Sequence, residues 1–263
     1  MTAIPAPPAA LPPALAAVMT LLEGQQVAAA LRACEAIVAR WPDQPAAWQM
    51  QGHASLLSGN AAAALRCLDH ALGLRPDHLP TLKMAVRAAR QLPDPTRALQ
   101  LSIRLSQLQP DDAEATLIHA SSLLDLGRSA DAAAVLEQAA VRWPGMAAAW
   151  FALAIAREDH GDPAGAAQAL QRTLALQPDH VEAWVNLGLL RQSLGDVDGA
   201  LHAHAQAVRL RPQVFGRVAM ALCSQRSGEV WINTAALRAE LDRLVAGSPV
   251  PGAVTSKCGA ARA

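Results

Sequence analysis

Residues 181–212 read VEAWVNLGLLRQSLGDVDGALHAHAQAVRLRP, and their spacing decides the fold. Trp184 opens the stretch, Leu187 and Gly188 follow, and Ala200 and Pro212 stand further along. Moving upstream by 34 residues at a time meets a proline at every step (Pro178, Pro144, Pro110, Pro76, Pro42) and an alanine at every step (Ala166, Ala132, Ala98, Ala64, Ala30). Two positions held through six periods mark tandem supersecondary units, each unable to bury its apolar face alone. The period predicts six repeats, 11–44, 45–78, 79–112, 113–146, 147–180 and 181–214, after a Pro- and Ala-rich segment, 1–10.

Composition agrees with helices built from small residues. Of 263 residues 52% are hydrophobic but only 3% aromatic, there is no Tyr, and Val and Ile are few, which excludes a β-rich domain. With 22 Lys plus Arg against 22 Asp plus Glu the formal charge is zero, so no net field draws nucleic acid or an anionic membrane. Mean hydropathy is +0.17, yet charges or prolines cut every apolar run short of the roughly 20 residues a membrane helix needs. Cys34, Cys67, Cys223 and Cys258 show neither CxxC nor zinc spacing and read as small, mostly buried hydrophobes. No Lys or Arg precedes Arg32, so a positively charged secretory leader is not expected and the cytoplasm is.

The residues within the period resemble the tetratricopeptide repeat, a helix-turn-helix of W, L-G, Y, A, F and P pattern. The sixth repeat carries it in Trp184, Leu187, Gly188, Ala200 and Pro212, with Arg191 and His204 where the family has Tyr and Phe. The fifth has Trp150, Leu153, Ala154, Ala166, Leu170 and Pro178, and the second Trp48, Gly52, Ala64, Leu68 and Pro76. The first has Ala14 in place of Trp, and one extra residue is expected between Gly24 and Leu31. The resemblance implies an all-α fold, an α-solenoid wound as a right-handed superhelix with a concave inner surface.

Elementary reasons stand behind the repeated positions. Gly59, Gly127, Gly161 and Gly195 are expected to close first helices in a left-handed conformation, with Pro93 in that place in repeat three. The periodic alanines and the small residues Gly52, Ala120, Ala154 and Gly188 are expected to let paired helices approach closely. Each proline ends a second helix, and Asp43, Asp77, Asp111 and Asp179 are expected to cap the next one. His78 and His180 belong at the same helix starts. Trp48, Trp150 and Trp184 should be half-buried between helices.

Beyond repeat six, residues 215–246 read as capping helices or the start of a further domain. Val214, Val218, Ala221 and Leu222 share a helical face, Ser227-Gly228 is a turn, and Val230-Trp231-Ile232 is a short extended piece. Asn233 or Thr234 caps a helix bearing Leu237, Leu241, Leu244 and Val245, and a disordered tail covers 247–263.

No cofactor or metal is expected. The sequence has no Gly-rich phosphate loop, GxSxG or HExxH, and His202 and His204, two apart, point about 200° away from one another on a helix and cannot share an ion. The carboxylates of Glu158-Asp159-His160-Gly161-Asp162 lie at an interhelix turn, where charges are usually solvated.

Recognition is expected in the groove. The resemblance implies that positions 2, 5, 9 and 12 of each first helix face the concave side, which are Pro80, Lys83, Arg87 and Arg90 in repeat three. The last three also share one helical face by their i, i+4, i+7 spacing. Gln49 and His53 stand alongside in repeat two, and repeats four to six offer Leu117, Phe151, Ile155, Val185 and Leu189, with Asn186 next to Val185. The plain alternative is a solvated basic face and apolar core. Relatives that grip a C-terminal carboxylate place Asn four residues after Lys; here Arg87 follows Lys83, so that clamp is not reproduced. Two readings of function follow. One is a non-enzymatic scaffold binding an extended peptide or partner helix, with acidic groups meeting Lys83, Arg87 and Arg90. The other is the substrate-presenting front part of a bacterial sulfotransferase or glycosyltransferase, although about 50 residues after Pro212 are too few for such a catalytic domain.

Overall fold

The computed structural model describes residues 8–223 and 234–246. First helices are α1 (Leu11–Glu23), α3 (Pro45–Leu57), α5 (Leu79–Ala89), α7 (Ala113–Asp125), α9 (Ala147–Asp159) and α11 (Val181–Ser193), starting 34 residues apart. Second helices are α2 (Val27–Arg40), α4 (Ala61–Leu74), α6 (Thr96–Leu108), α8 (Ser129–Arg142), α10 (Pro163–Leu176) and α12 (Val197–Leu210). A 3-10 turn, Pro212–Val214, leads to α13 (Phe215–Cys223), and α14 spans Thr234–Ala246. The fold is all-α, with no strand among the described residues.

The chain divides into two compact units, Met1–Ala132 and Ala133–Ala263, with the boundary inside α8. In unit one each helix from α1 to α7 packs on the next, and α3 also touches α1 and α5. In unit two α9 to α12 pack consecutively, and α14 lies on α12. The stacking is that of an α-solenoid, in which neighbouring repeats complete one another's core.

The periodic alanine is fully buried in every pair: Ala30, Ala64, Ala98, Ala132, Ala166 and Ala200 are all 0% exposed. The periodic Trp and Pro turn out to be one device. The indole Nε1 of Trp48 donates to the Pro42 carbonyl (2.7 Å), that of Trp150 to Pro144 (3.0 Å) and that of Trp184 to Pro178 (2.8 Å), so each Trp ties its helix to the turn before it. All three tryptophans are half-buried. Arg191, in the family's Tyr position, reaches across its pair to the Gly199 carbonyl (3.2 Å).

Several local expectations are corrected. Repeat one holds no extra residue, since α1 and α2 have the lengths and offsets of α3 and α4. Gly59, Gly127, Gly161 and Gly195 take the left-handed conformation expected of them (φ 68 to 86), and in repeat one the same position is Gln25 (φ 57). In repeat three α5 stops at Ala89, two residues short of the other first helices, ahead of Pro93. Arg90 is then the C-cap residue, still helical in φ and ψ. The aspartates that follow four of the prolines are not the N-cap residues. The N-cap must be the last extended residue before the helix, and that is one position later: Gln44, His78, Asp112, Met146 or His180. Of these, Asp112 accepts from the Glu114 N–H and His180 Nδ1 from the Ala183 N–H. Among the second helices, α4, α10 and α12 are capped by the side chains of Asn60, Asp162 and Asp196.

At the C-terminal end Leu237 and Leu241 are buried in a cluster with Val181, Val185, Val208, Val218 and Leu222, with Leu244 and Val245 packed beside them. Thus α14 covers the apolar end of repeat six. The readings of Ser227-Gly228, Val230-Trp231-Ile232, Asn233 and the 247–263 tail lie outside the described residues.

Candidate functional site

The α5 helix divides its faces sharply. Leu82, Ala85, Val86, Ala88 and Ala89 are buried, which turns Lys83, Arg87 and Arg90 together toward the other side. They line a cavity of about 570 Å³ whose opposite side is α7, through Glu114, Ile118 and Asp125, with Met84, Val86 and Gln91 completing it.

The α7 helix supplies carboxylates opposite the cations. Lys83 Nζ donates to Asp112 Oδ2 (3.3 Å) and to Glu114 Oε2. Arg90 holds Asp125 through Nε and Nη2, the latter at 3.3 Å from Oδ1. Arg87 is exposed and makes no ion pair among the described residues. The hydrogen bond to Glu114 holds the Lys83 ammonium above its ordinary range, against the opposing effect of burial. Burial pushes the Asp112 carboxyl up, but the Glu114 N–H and Lys83 outweigh it and hold the group below the usual carboxylate range. The Lys83 end of the cleft, one cation against two carboxylates, is therefore net negative, the Arg90–Asp125 end is neutral, and Arg87 between them is positive. Glu114 and Asp125 are absent from the sequence reading, although Glu114 stands at position 2 of repeat four, a groove position, and could have been found there.

The remaining candidates fall in different surroundings. Gln49 and His53 on α3 and Leu117 on α7 are half-buried and do not line the cavity; Ile118 does. In unit two Phe151 is half-buried with its ring 4.6 Å from that of His180, and Ile155 and Asn186 are half-buried. Leu189 is 38% exposed, whereas Val185 is 2% exposed, belongs to the core and offers no surface to a partner. His202 is exposed and His204 fully buried, on opposite sides of α12. Among the described residues no three His, Cys, Asp or Glu are placed to hold a metal ion, and no helix is long and apolar enough to cross a membrane.

The family model for the tetratricopeptide repeat matches residues 15–78, 83–147, 118–177 and 151–214. No curated protein matches the sequence. Among solved structures, PilW, a type IV pilus biogenesis factor, is 16% identical with a TM-score of 0.65, over 78% of this chain and 96% of its own. MamA 41-end from Desulfovibrio magneticus RS-1 is 21% identical with a TM-score of 0.58, over 64% and 96%. YrrB, described as a TPR protein with an unusual peptide-binding site, is 14% identical with a TM-score of 0.53, over 68% and 92%. At these identities the likeness is one of fold.

Proposed function

The chain belongs to the tetratricopeptide repeat family, and we propose that it is a non-catalytic interaction protein whose α5/α7 cleft docks a peptide or extended segment of a partner protein. One observation carries the reading: a cavity of about 570 Å³ with an uncommitted guanidinium, Arg87, beside Met84 and Ile118. Apolar side chains supply area there, and a guanidinium supplies an oriented, charge-assisted hydrogen bond to a carboxylate. Gln49, His53 and Leu117 are assigned to the same partner by their repeat positions. In unit two, Phe151, Ile155, Asn186 and Leu189 are assigned as a second, mostly apolar contact surface. Nucleic acid is not the partner in this reading, because 22 basic residues are balanced by 22 acidic ones.

Affinity capture with the intact chain, followed by mass spectrometry, identifies the partner. Arg87→Glu should then reduce capture strongly and most at low salt, while Arg66→Glu, an exposed reversal on α4 of the same unit, should leave it intact. Equal capture by the two variants would remove the cleft from the reading.

A further inference from the structure

We infer that the α5/α7 cleft selects a segment carrying one isolated carboxylate between aliphatic residues, and that Glu114 and Asp125 are the residues that reject polyacidic segments. The inference rests on the docking role proposed for this cleft and adds the class of ligand. Along α5 the cations Lys83, Arg87 and Arg90 span seven residues, about 10 Å at 1.5 Å per residue. The outer two already have carboxylate partners on α7. Only Arg87, between them, makes no ion pair among the described residues. A ligand carboxylate in the middle of the cleft meets a guanidinium without displacing anything. A carboxylate at either end must displace Glu114 or Asp125 from its cation or lie against it, and like charges in a partly desolvated cleft repel.

The spacing makes this discrimination sharp. An extended ligand advances about 3.4 Å per residue, so residues one or two away from the central acid reach the ends of a cleft about 10 Å long. Acidic neighbours arrive at occupied carboxylates. Aliphatic neighbours arrive at Met84 and Ile118. A plain basic patch would rank ligands by total negative charge; this cleft ranks them by where a single charge sits.

The test titrates the full chain at low salt with three labelled ten-residue probes on an Ala/Ser background, centred on Leu-Glu-Leu, Leu-Gln-Leu or Glu-Glu-Glu. The first should bind about tenfold tighter than either of the others. Arg87→Ala should erase its advantage over the Gln probe. Glu114→Gln with Asp125→Asn frees Arg90, leaves Lys83 with Asp112 alone, and keeps the Asp112 cap of α7 in place, so it should reverse the order in favour of the Glu-Glu-Glu probe by tenfold or more. The wild-type chain binding the Glu-Glu-Glu probe as tightly as the single-Glu one would overturn the inference and leave the docking role standing. So would the double variant keeping the wild-type order. Failure of every form to bind any probe would overturn the inference together with the cleft's docking role.

Discussion

A Cβ added to Gly188 would lie 2.6 Å from Nδ1 and 2.7 Å from Nε2 of His204, inside the ring's own contact shell. The same two positions of repeat two hold Gly52 and Leu68, where an added Cβ would come within 2.6 Å of Leu68 Cγ. In repeat five they hold Ala154 and Leu170, in repeat three Val86 and Ser102, and in repeat one Val18 and Cys34. All ten residues are buried. A large residue on the second helix goes with a small one on the first, and the Val pairs go with small residues, so it is the volume at the crossing that each repeat conserves.

Gly188→Ala should therefore destabilise the protein. Overpacking costs about 1–3 kcal/mol, which exceeds the roughly 1 kcal/mol of helix propensity gained over Gly. Adding His204→Leu recreates the Ala154/Leu170 combination of repeat five and should recover most of the loss. A double-mutant cycle by urea unfolding should show a coupling of about 1 kcal/mol. Strictly additive effects would show that the two positions do not share a volume.

His204 also makes stability depend on pH. It is fully buried, neither ring nitrogen has a hydrogen-bond partner among the described residues, and burial pushes its pKa down to about 4. Unfolded chains take up the proton near pH 6.5 and folded ones only near 4. The contribution is complete above pH 6.5 and is lost as pH falls from 6.5 to 4, by about 3 kcal/mol at 1.4 kcal/mol per unit. His204→Leu should flatten that slope: between pH 7 and 4.5 it should lose about 2 kcal/mol less than the wild type in chemical unfolding. Parallel losses would assign the acid sensitivity to other groups.

Gln25→Gly should stabilise the first repeat. Gln25 is the one non-glycine residue with positive φ among the described residues, at the position where four other repeats have glycine. A side chain in the left-handed region costs about 1 kcal/mol, so the variant should gain a little under that in thermal or urea unfolding. A loss would mean that the Gln25 side chain makes a contact worth more than the strain.

The periodic alanine should tolerate no growth. Ala166→Leu, at a 0% exposed site, should cost about 1–3 kcal/mol. Ala62→Leu, on the exposed side of α4, should stay within about 0.5 kcal/mol of the wild type. Equal midpoints for the two would dissociate the alanine period from close helix packing.

Much of this was legible in one dimension. The 34-residue step of Pro and Ala, the glycines at first-helix ends and the Trp positions all report local backbone conformation or one pair's crossing, and those recur wherever the residues recur. Local chemistry still misled by one residue where a neighbour could take the role: the N-cap fell on Asp112 and His180 rather than on the preceding aspartates, because only the last extended residue can cap. The cleft was only half legible. Lys83, Arg87 and Arg90 share a face by helical spacing alone, which follows from 3.6 residues per turn. That Lys83 meets Asp112 and Glu114, that Arg90 meets Asp125, and that Arg87 is left between them was decided by where α7, packed on α6, stands across the cleft from α5, 29 to 35 residues along the chain. Periodicity says which way a side chain points; only the packed neighbour determines what charge it finds there.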